Sequence, residues 1–230
     1  MIPLKDNIPH RRLPWVTILL LIINILVFVY QHILLSPENL EKVVSLYGFI
    51  PQKLFLSQFS LKEKLISFFT SIFMHAGFFH LLGNCLYLWI FADNVEDKLG
   101  HFSFLIFYLS CGLIANLVHA LFNLHSKIPA IGASGAIAGV LGAYFLMFPT
   151  ARVLTLIPFF FFWEIVEIPA FFFLGFWFLY QFLLGVFSLG RIGGGIAFWA
   201  HIGGFVAGLL LVKFFPKRRY YYRRRGDLWI

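Results

Sequence analysis

Six stretches of this chain carry no Asp, Glu, Lys or Arg: Leu13 to Pro37, Leu65 to Ala92, Leu99 to Ser126, Ile128 to Ala151, Ile168 to Gly190, and Ile192 to Val212. Each is at least about 20 residues long, the length a helix needs to cross a hydrocarbon core about 30 Å thick. The composition agrees. Of 230 residues, 60% are hydrophobic, 20% aromatic and only 12% charged, whereas a soluble domain carries about a quarter charged residues. A soluble globule is therefore excluded, and so is a disordered chain, which would be poor in aromatic and apolar residues. What remains is an all-α membrane protein with six spans, expected at 15–34, 79–94, 102–124, 133–149, 169–187 and 198–214. A seventh apolar stretch, Val153 to Trp163, is too short to span and runs into Glu164 and Glu167. It reads as an interfacial or re-entrant loop.

Six spans put both termini on one side. That side would hold Lys5, Arg11, Arg12, Lys98, Arg152, Lys213 and the basic tail from Lys217 to Arg225. The other would hold Lys42, Lys53, Lys62, Lys64, Lys127 and Arg191. The excess places both termini in the cytoplasm. The expected layout is a cytoplasmic segment 1–14, a six-helix core 15–214 and a basic cytoplasmic tail 215–230. Arg11 and Arg12 read as a positive flank, and the first span is too long for a cleavable signal. Tyr220, Tyr221 and Tyr222 among the tail's basic residues fit an anchor at an anionic leaflet better than a nucleic-acid site. Segment 35–78 is the one long connection. Its amphipathic pieces near 38–47 and 61–73 suggest that it lies on or partly in the outer leaflet. Cys85 and Cys111 sit inside apolar runs and read as core residues, not as a disulfide.

Polar groups inside a membrane are costly, so each is a functional candidate. The second span opens with His75-Ala-Gly-Phe-Phe-His80-Leu-Leu-Gly-Asn84, in which His80 and Asn84 share a helical face. The fourth opens with Gly132-Ala133-Ser134-Gly135. The sixth opens with Ala200-His201-Ile202-Gly203-Gly204, followed by Gly208. Gly135 with Gly139, and Gly204 with Gly208, are small-xxx-small pairs that let helix backbones approach closely. The fourth and sixth helices should be neighbours, with Ser134 near His201. At about 1.5 Å per residue, Ser134 lies about 22 Å from Pro149, His201 about 18 Å from Lys213, and His80 about 20 Å from Asp93. All three should sit roughly 8–12 Å below the outer surface. A serine, a histidine base and hydrogen-bond donors at one depth are the parts of an acyl-transfer site. The outer-side acids Glu38, Glu41 and Glu63 all lie in the long connection, so the pattern supports a Ser–His dyad, not a triad.

With these motifs in their order on the second, fourth and sixth spans, the chain resembles the rhomboid family of intramembrane serine proteases. The resemblance rests on His75-x4-His80-Leu-x2-Asn84, Gly132-Ala133-Ser134-Gly135, and Ala200-His201-x-Gly203-Gly204-x3-Gly208. It implies a six-helix rhomboid-like bundle and an endopeptidase that cuts single-pass membrane proteins in or near their spans. It makes Ser134 the nucleophile and His201 the base, and it assigns His80, Asn84 and the Ser134 backbone N–H to the oxyanion hole. Some members carry an aromatic residue four positions after the serine, stacked on the imidazole. Here that position is Ala138, with Phe198 or Trp199 as candidate substitutes.

Each residue has a plainer reading. A serine at a helix start is commonly an N-cap, His201 could be a hydrogen-bonded interface histidine, and His80 with Asn84 could bridge helices. His75 is as readily a loop-stabilising or water-holding residue, and Gly132 and Gly135 are supporting residues. A zinc site from His75, His80, His201 and Cys85 would leave Ser134 unexplained. The Phe-rich fifth span with Trp177 reads mostly as lipid-facing bulk, and Gly185 to Gly195 as a mobile cap. A catalytically inactive rhomboid-like protein that binds membrane helices for quality control would be expected to lack the serine or the histidine. A transporter would need charged groups near the midplane. The expectation is a multi-pass protease of a prokaryotic plasma membrane that works without a cofactor or metal. Its partners would be the lipid bilayer and single-pass membrane protein substrates, with no nucleic acid.

Overall fold

The computed structural model describes residues 1–9, 11–159, 162–189 and 196–216, and of Phe159 and Phe162 the backbone alone. The first long helix, α1 (Trp15–Val29), begins directly after Pro14, which offers no side-chain cap. Its open end is closed from a distance. The fully buried carboxylate of Glu96 accepts the backbone N–H of Val16 at 2.9 Å and of Thr17 at 2.7 Å, together with the Thr17 hydroxyl at 2.6 Å. A helix N-terminus presents unpaired N–H groups and a partial positive charge, so an acid there satisfies both. His101 also bonds to Glu96. The chain leaves α1 through a π-helical turn, Tyr30–Leu34.

Three short helices follow: α2 (Pro37–Tyr47), α3 (Pro51–Phe55) and α4 (Leu61–Thr70). Ser36 with Pro37 starts α2, and a reciprocal Ser60–Glu63 capping box starts α4. These capping signals are local, and the helices match the two amphipathic pieces read in the sequence. Asn116 holds α4 to α6 (His101–Phe122) by donating to the Phe68 carbonyl at 3.0 Å and the Ser71 hydroxyl at 3.1 Å. The isolated bridge Phe49–Ala130 ties the same region to the loop before α7 (Ser134–Met147). Helix α5 (Phe78–Leu99) meets α6 at Gly100, whose φ of +86° makes the tight turn. Helices α8 (Ala170–Ser188) and α9 (Phe198–Leu211) complete the set.

Helices thus occupy all six intervals expected from charge spacing. Among the described residues, Trp15–Leu34, His101–Phe122 and Ala170–Ser188 are long and apolar enough to cross a membrane. The pair Leu61–Phe73 and Phe78–Leu99 passes the same test jointly but is bent by 80°. Helices α7 and α9 are apolar and shorter, with 14 residues each.

The chain is mostly helical but not all-α. Strands β1 (Ile2–Asp6), β2 (Arg152–Phe159) and β3 (Phe162–Pro169) form an antiparallel sheet in the order β1-β2-β3. Its registers run from Ile2 opposite Leu156 to Asp6 opposite Val153, and from Arg152 opposite Pro169 to Phe159 opposite Phe162. The expected loop is instead two paired strands over 153–159 and 162–163. The run is rich in branched residues, and Val153 and Thr155 are buried while Arg152 is exposed, the two-residue alternation of a half-buried strand. The N-terminal segment is tied down as well. Asp6 accepts from the Tyr144 hydroxyl on α7 and, at 2.8 Å, from Asn94 Nδ2 on α5.

The core lies where α5, α6, α7 and α9 meet, around the fully buried Phe91, Phe104, Phe107, Tyr108 and Tyr144. The expected close contact between the fourth and sixth helices is present as α7 against α9. A Cβ added at Gly204, Gly208 or Gly142 would lie 2.0, 1.9 or 2.1 Å from the carbonyl oxygen of Gly135, Gly139 or Phe205. On the other flank of α7, a Cβ at Gly139 would strike the Cys111 side chain of α6 at 2.4 Å. Cys85 and Cys111 are both free thiols.

Candidate active site

Gly132 sets the entry to α7. Its φ is +135°, a conformation that disfavours any side chain, and a Cβ there would lie 2.8 Å from Nε2 and Cε1 of His80. Its N–H donates to the Ser71 carbonyl at 2.9 Å. Two residues later Ser134 opens the helix. It is not an N-cap: the cap position is Ala133, and no side chain caps this end. The Ser134 hydroxyl instead meets His201 Nε2 of α9 at 2.8 Å.

The other ring nitrogen of His201, Nδ1, lies 2.8 Å from the side-chain oxygen of Gln181 on α8. That oxygen accepts only, so Nδ1 carries the proton and Nε2 is left to accept from the Ser134 hydroxyl. This is the tautomer that a general base requires. On the opposite wall, His80 Nδ1 accepts the Ala76 N–H at 3.5 Å, which places the ring's own proton on Nε2, the edge turned toward Gly132. Asn84 is buried, and its Nδ2 has no hydrogen-bond partner. An unpaired buried amide is costly unless a ligand completes it. Ser134, His201, Gln181, His80 and Asn84 all line one cavity of about 560 Å³. The first backbone N–H groups of α7 have no intrahelical acceptor, which adds donors beside the serine.

The structure thus gathers Ser134, His201, His80 and Asn84 as the motifs suggested, and it separates the supporting residues. His75 is fully buried behind His80, with ring centroids 5.2 Å apart and nearly perpendicular. Its backbone is held by the π-helical turn: its N–H donates to Gln31 at 3.1 Å, and its carbonyl accepts from His32 at 2.9 Å. Gly135 is a packing position, where a Cβ would strike Ala115 of α6 at 2.6 Å. Among the described residues, no group of three or more His, Cys, Asp or Glu is placed to hold a metal ion. Part of the expected cap, Gly190 to Gly195, lies outside the described residues, as does the basic tail from Lys217.

Two expectations about His201 are corrected. Neither Phe198 nor Trp199 substitutes for the missing aromatic. Trp199 stacks on Phe122 with centroids 3.6 Å apart, and Phe198 packs near Gly185. The ring beside His201 is Trp177, at 5.9 Å and tilted by 34°. Trp177 is accordingly not lipid-facing bulk. Ala138 is fully buried and borders the same cavity, so its methyl puts no ring beside His201. Gln181 lies outside the three motifs that the sequence singles out. The signal was available: a glutamine inside a charge-free apolar span is as conspicuous as the histidines, by the same rule about polar groups in membranes.

Residues 62–218 match the Rhomboid domain family. Individual relatives include "Rhomboid protein 1, mitochondrial" of Saccharomyces cerevisiae, 34% identical over 45% of this chain and 31% of that protein. The "Putative rhomboid protease YdcA" of Bacillus subtilis is 40% identical over 34% of this chain and 39% of its own length. The "Presenilin-associated rhomboid-like protein, mitochondrial" of Mus musculus is 33% identical over 41% and 29%. The matched segments therefore span well under half of these relatives. Because they include mitochondrial proteins, the similarity does not carry the expectation of a prokaryotic plasma membrane. The family match, covering more than half of the chain, and the membrane-length apolar helices place this chain in the rhomboid family, as an integral membrane protein.

Proposed function

We propose that the chain is an intramembrane serine endopeptidase that hydrolyses peptide bonds in or near the spans of single-pass membrane proteins. The observation that carries this reading is the 2.8 Å contact between Ser134 Oγ and His201 Nε2, with Nδ1 engaged elsewhere so that Nε2 is basic. In this mechanism the Ser134 hydroxyl gives its proton to His201 Nε2 as Oγ adds to the scissile carbonyl carbon. The negative charge that develops on the carbonyl oxygen is met by His80 Nε2–H, the unpaired Asn84 Nδ2 and the Ser134 N–H. His201 then returns the proton to the leaving amine. A water, deprotonated by the same nitrogen, releases the acyl group from Ser134.

The membrane setting of the site is part of the same proposal. The six apolar helices α1, α5, α6, α7, α8 and α9 form the spanning core within 15–214, with both termini cytoplasmic. Helix α7 has 14 residues, about 21 Å at 1.5 Å per residue, which is short of a ~30 Å core. Its first residue, Ser134, then begins below the outer surface, and the cavity supplies water at that depth. The deciding experiment is labelling of the solubilised protein with a fluorophosphonate, with the modified residue mapped by mass spectrometry. Modification at Ser134 that requires His201 is expected. A protein that cleaves a membrane substrate while Ser134 stays unlabelled would overturn the reading.

A further inference from the structure

Helix α8 supplies the support that the catalytic histidine lacks elsewhere. Trp177 and Gln181 are four residues apart, so they share a face of α8, and both meet His201, by ring approach at 5.9 Å and by hydrogen bond at 2.8 Å. None of the three acids of the long connection is bonded to His201, and Glu41 is exposed. Glu38 pairs with Lys42 at 2.7 Å on an exposed surface, and Glu63 closes the α4 capping box. Ala138 provides no ring. The Nδ1–H of His201 therefore has a single side-chain acceptor among the described residues, and it is neutral.

We infer that Gln181 is a positioning residue: its side-chain oxygen holds Nδ1–H of His201, fixes the tautomer in which Nε2 is basic, and stands where a serine–histidine–acid triad has its carboxylate. This inference rests on His201 being the general base. A carboxylate buried at this depth would have to be stripped of water, whereas an amide offers an acceptor without a net charge. The amide also makes the site sensitive to its own orientation. If its nitrogen faced Nδ1, the ring proton would move to Nε2, and the serine would lose its proton acceptor. Gln181 is buried and also borders the cavity that holds Ser134, so both its burial and its placement suit a fixed partner of the base.

The test compares wild type with Gln181→Leu, Gln181→Met and Gln181→Glu on a purified transmembrane substrate in proteoliposomes, with thermal unfolding measured alongside. Leu and Met keep most of the volume and remove the acceptor. They should lower kcat by roughly tenfold to a hundredfold with KM within about threefold, because an orienting bond acts on the chemical step. Glu keeps an acceptor oxygen for Nδ1–H whether ionised or neutral, so it should keep at least about ten times the kcat of the Leu variant. Should the Leu variant unfold, the comparison of Met with Glu decides the matter in the same way. A kcat within about twofold of wild type in a folded Leu or Met variant, an effect confined to KM, or an equal loss in all three variants would overturn the inference. Ser134→Ala and His201→Ala run in parallel. If either still cleaves, the underlying function fails. If both are dead while Gln181→Leu is fully active, only the role of Gln181 fails.

Discussion

Gly208 of α9 lies against the carbonyl oxygen of Gly139 in α7, so closely that a Cβ on Gly208 would sit 1.9 Å from it. Gly204 repeats the relation with Gly135 one turn nearer the site, and Gly142 with Phe205 repeats it from the other helix. Three backbone contacts in succession leave α9 one sliding position against α7. That position holds His201 2.8 Å from Ser134, each near the start of its helix.

Gly208→Ala and Gly204→Ala should therefore damage both stability and activity. Overpacking costs about 1–3 kcal/mol in cores, and here the obstacle is backbone, which yields less than a side chain. Gly83→Ala is the control. Nothing lies within 4 Å of a Cβ at that position, and removing a mid-helix glycine gains up to about 1 kcal/mol. Thermal unfolding in detergent should rank Gly83→Ala at or above wild type and the two α9 variants clearly below it. Equal midpoints for all would show that the helices do not depend on this contact.

Ser134→Ala should abolish cleavage of a membrane substrate while the protein stays folded. No cap is lost, because the hydroxyl serves His201 and not the helix end. The stability cost is expected to stay at or below about 1–3 kcal/mol, that of leaving the buried His201 Nε2 without its donor. Turnover above the uncatalysed background in this variant would remove Ser134 from the chemistry.

His80→Ala and Asn84→Ala should each lower kcat by about tenfold to a thousandfold with smaller changes in KM, since oxyanion donors act mainly in the transition state. The Asn84 variant carries a second signature. Its Nδ2 is buried without a partner, and deleting an unsatisfied polar group relieves a desolvation penalty. Asn84→Ala should therefore be as stable as wild type or more so while being much slower. A less stable variant with intact kcat would make Asn84 a helix-bridging residue.

Asp6 offers a pH test at the other end of α7. Burial holds its carboxyl above the ordinary value of 3.8, although the hydrogen bond from Tyr144 opposes the shift. A raised carboxyl pKa in the folded protein means that stability is greatest while the group is protonated. Stability is then lost as pH rises from the ordinary value through the folded one. Asp6→Asn keeps an acceptor for Tyr144 and Asn94 and does not titrate. Wild type should lose stability relative to Asp6→Asn as the pH climbs through the mildly acidic range. A relative gain over that range, measured by unfolding at a series of pH values, would reverse the sign of the burial effect.

The sequence by itself determined the elements whose signals are local and strong. Charge-free runs located the six apolar helices within a few residues, because burying an unpaired charge in hydrocarbon is too costly to tolerate. The amphipathic pieces near 38–47 and 61–73 marked α2 and α4, whose starts the structure shows capped locally by Ser36 and by the Ser60–Glu63 box. Paired glycines announced the α7–α9 contact, and three short motifs named the serine, the two histidines and the asparagine that share the cavity. Only the tertiary structure decided what depends on partners distant in the chain. The sheet needs Ile2–Asp6 to meet a hairpin some 150 residues later, a pairing no local pattern encodes. Glu96 closes α1 from 79 residues away at Thr17. Gln181 marks one polar position on α8, but only the packing of α8 on α9 brings it, with Trp177, against His201, a contact across 20 residues that no local pattern encodes.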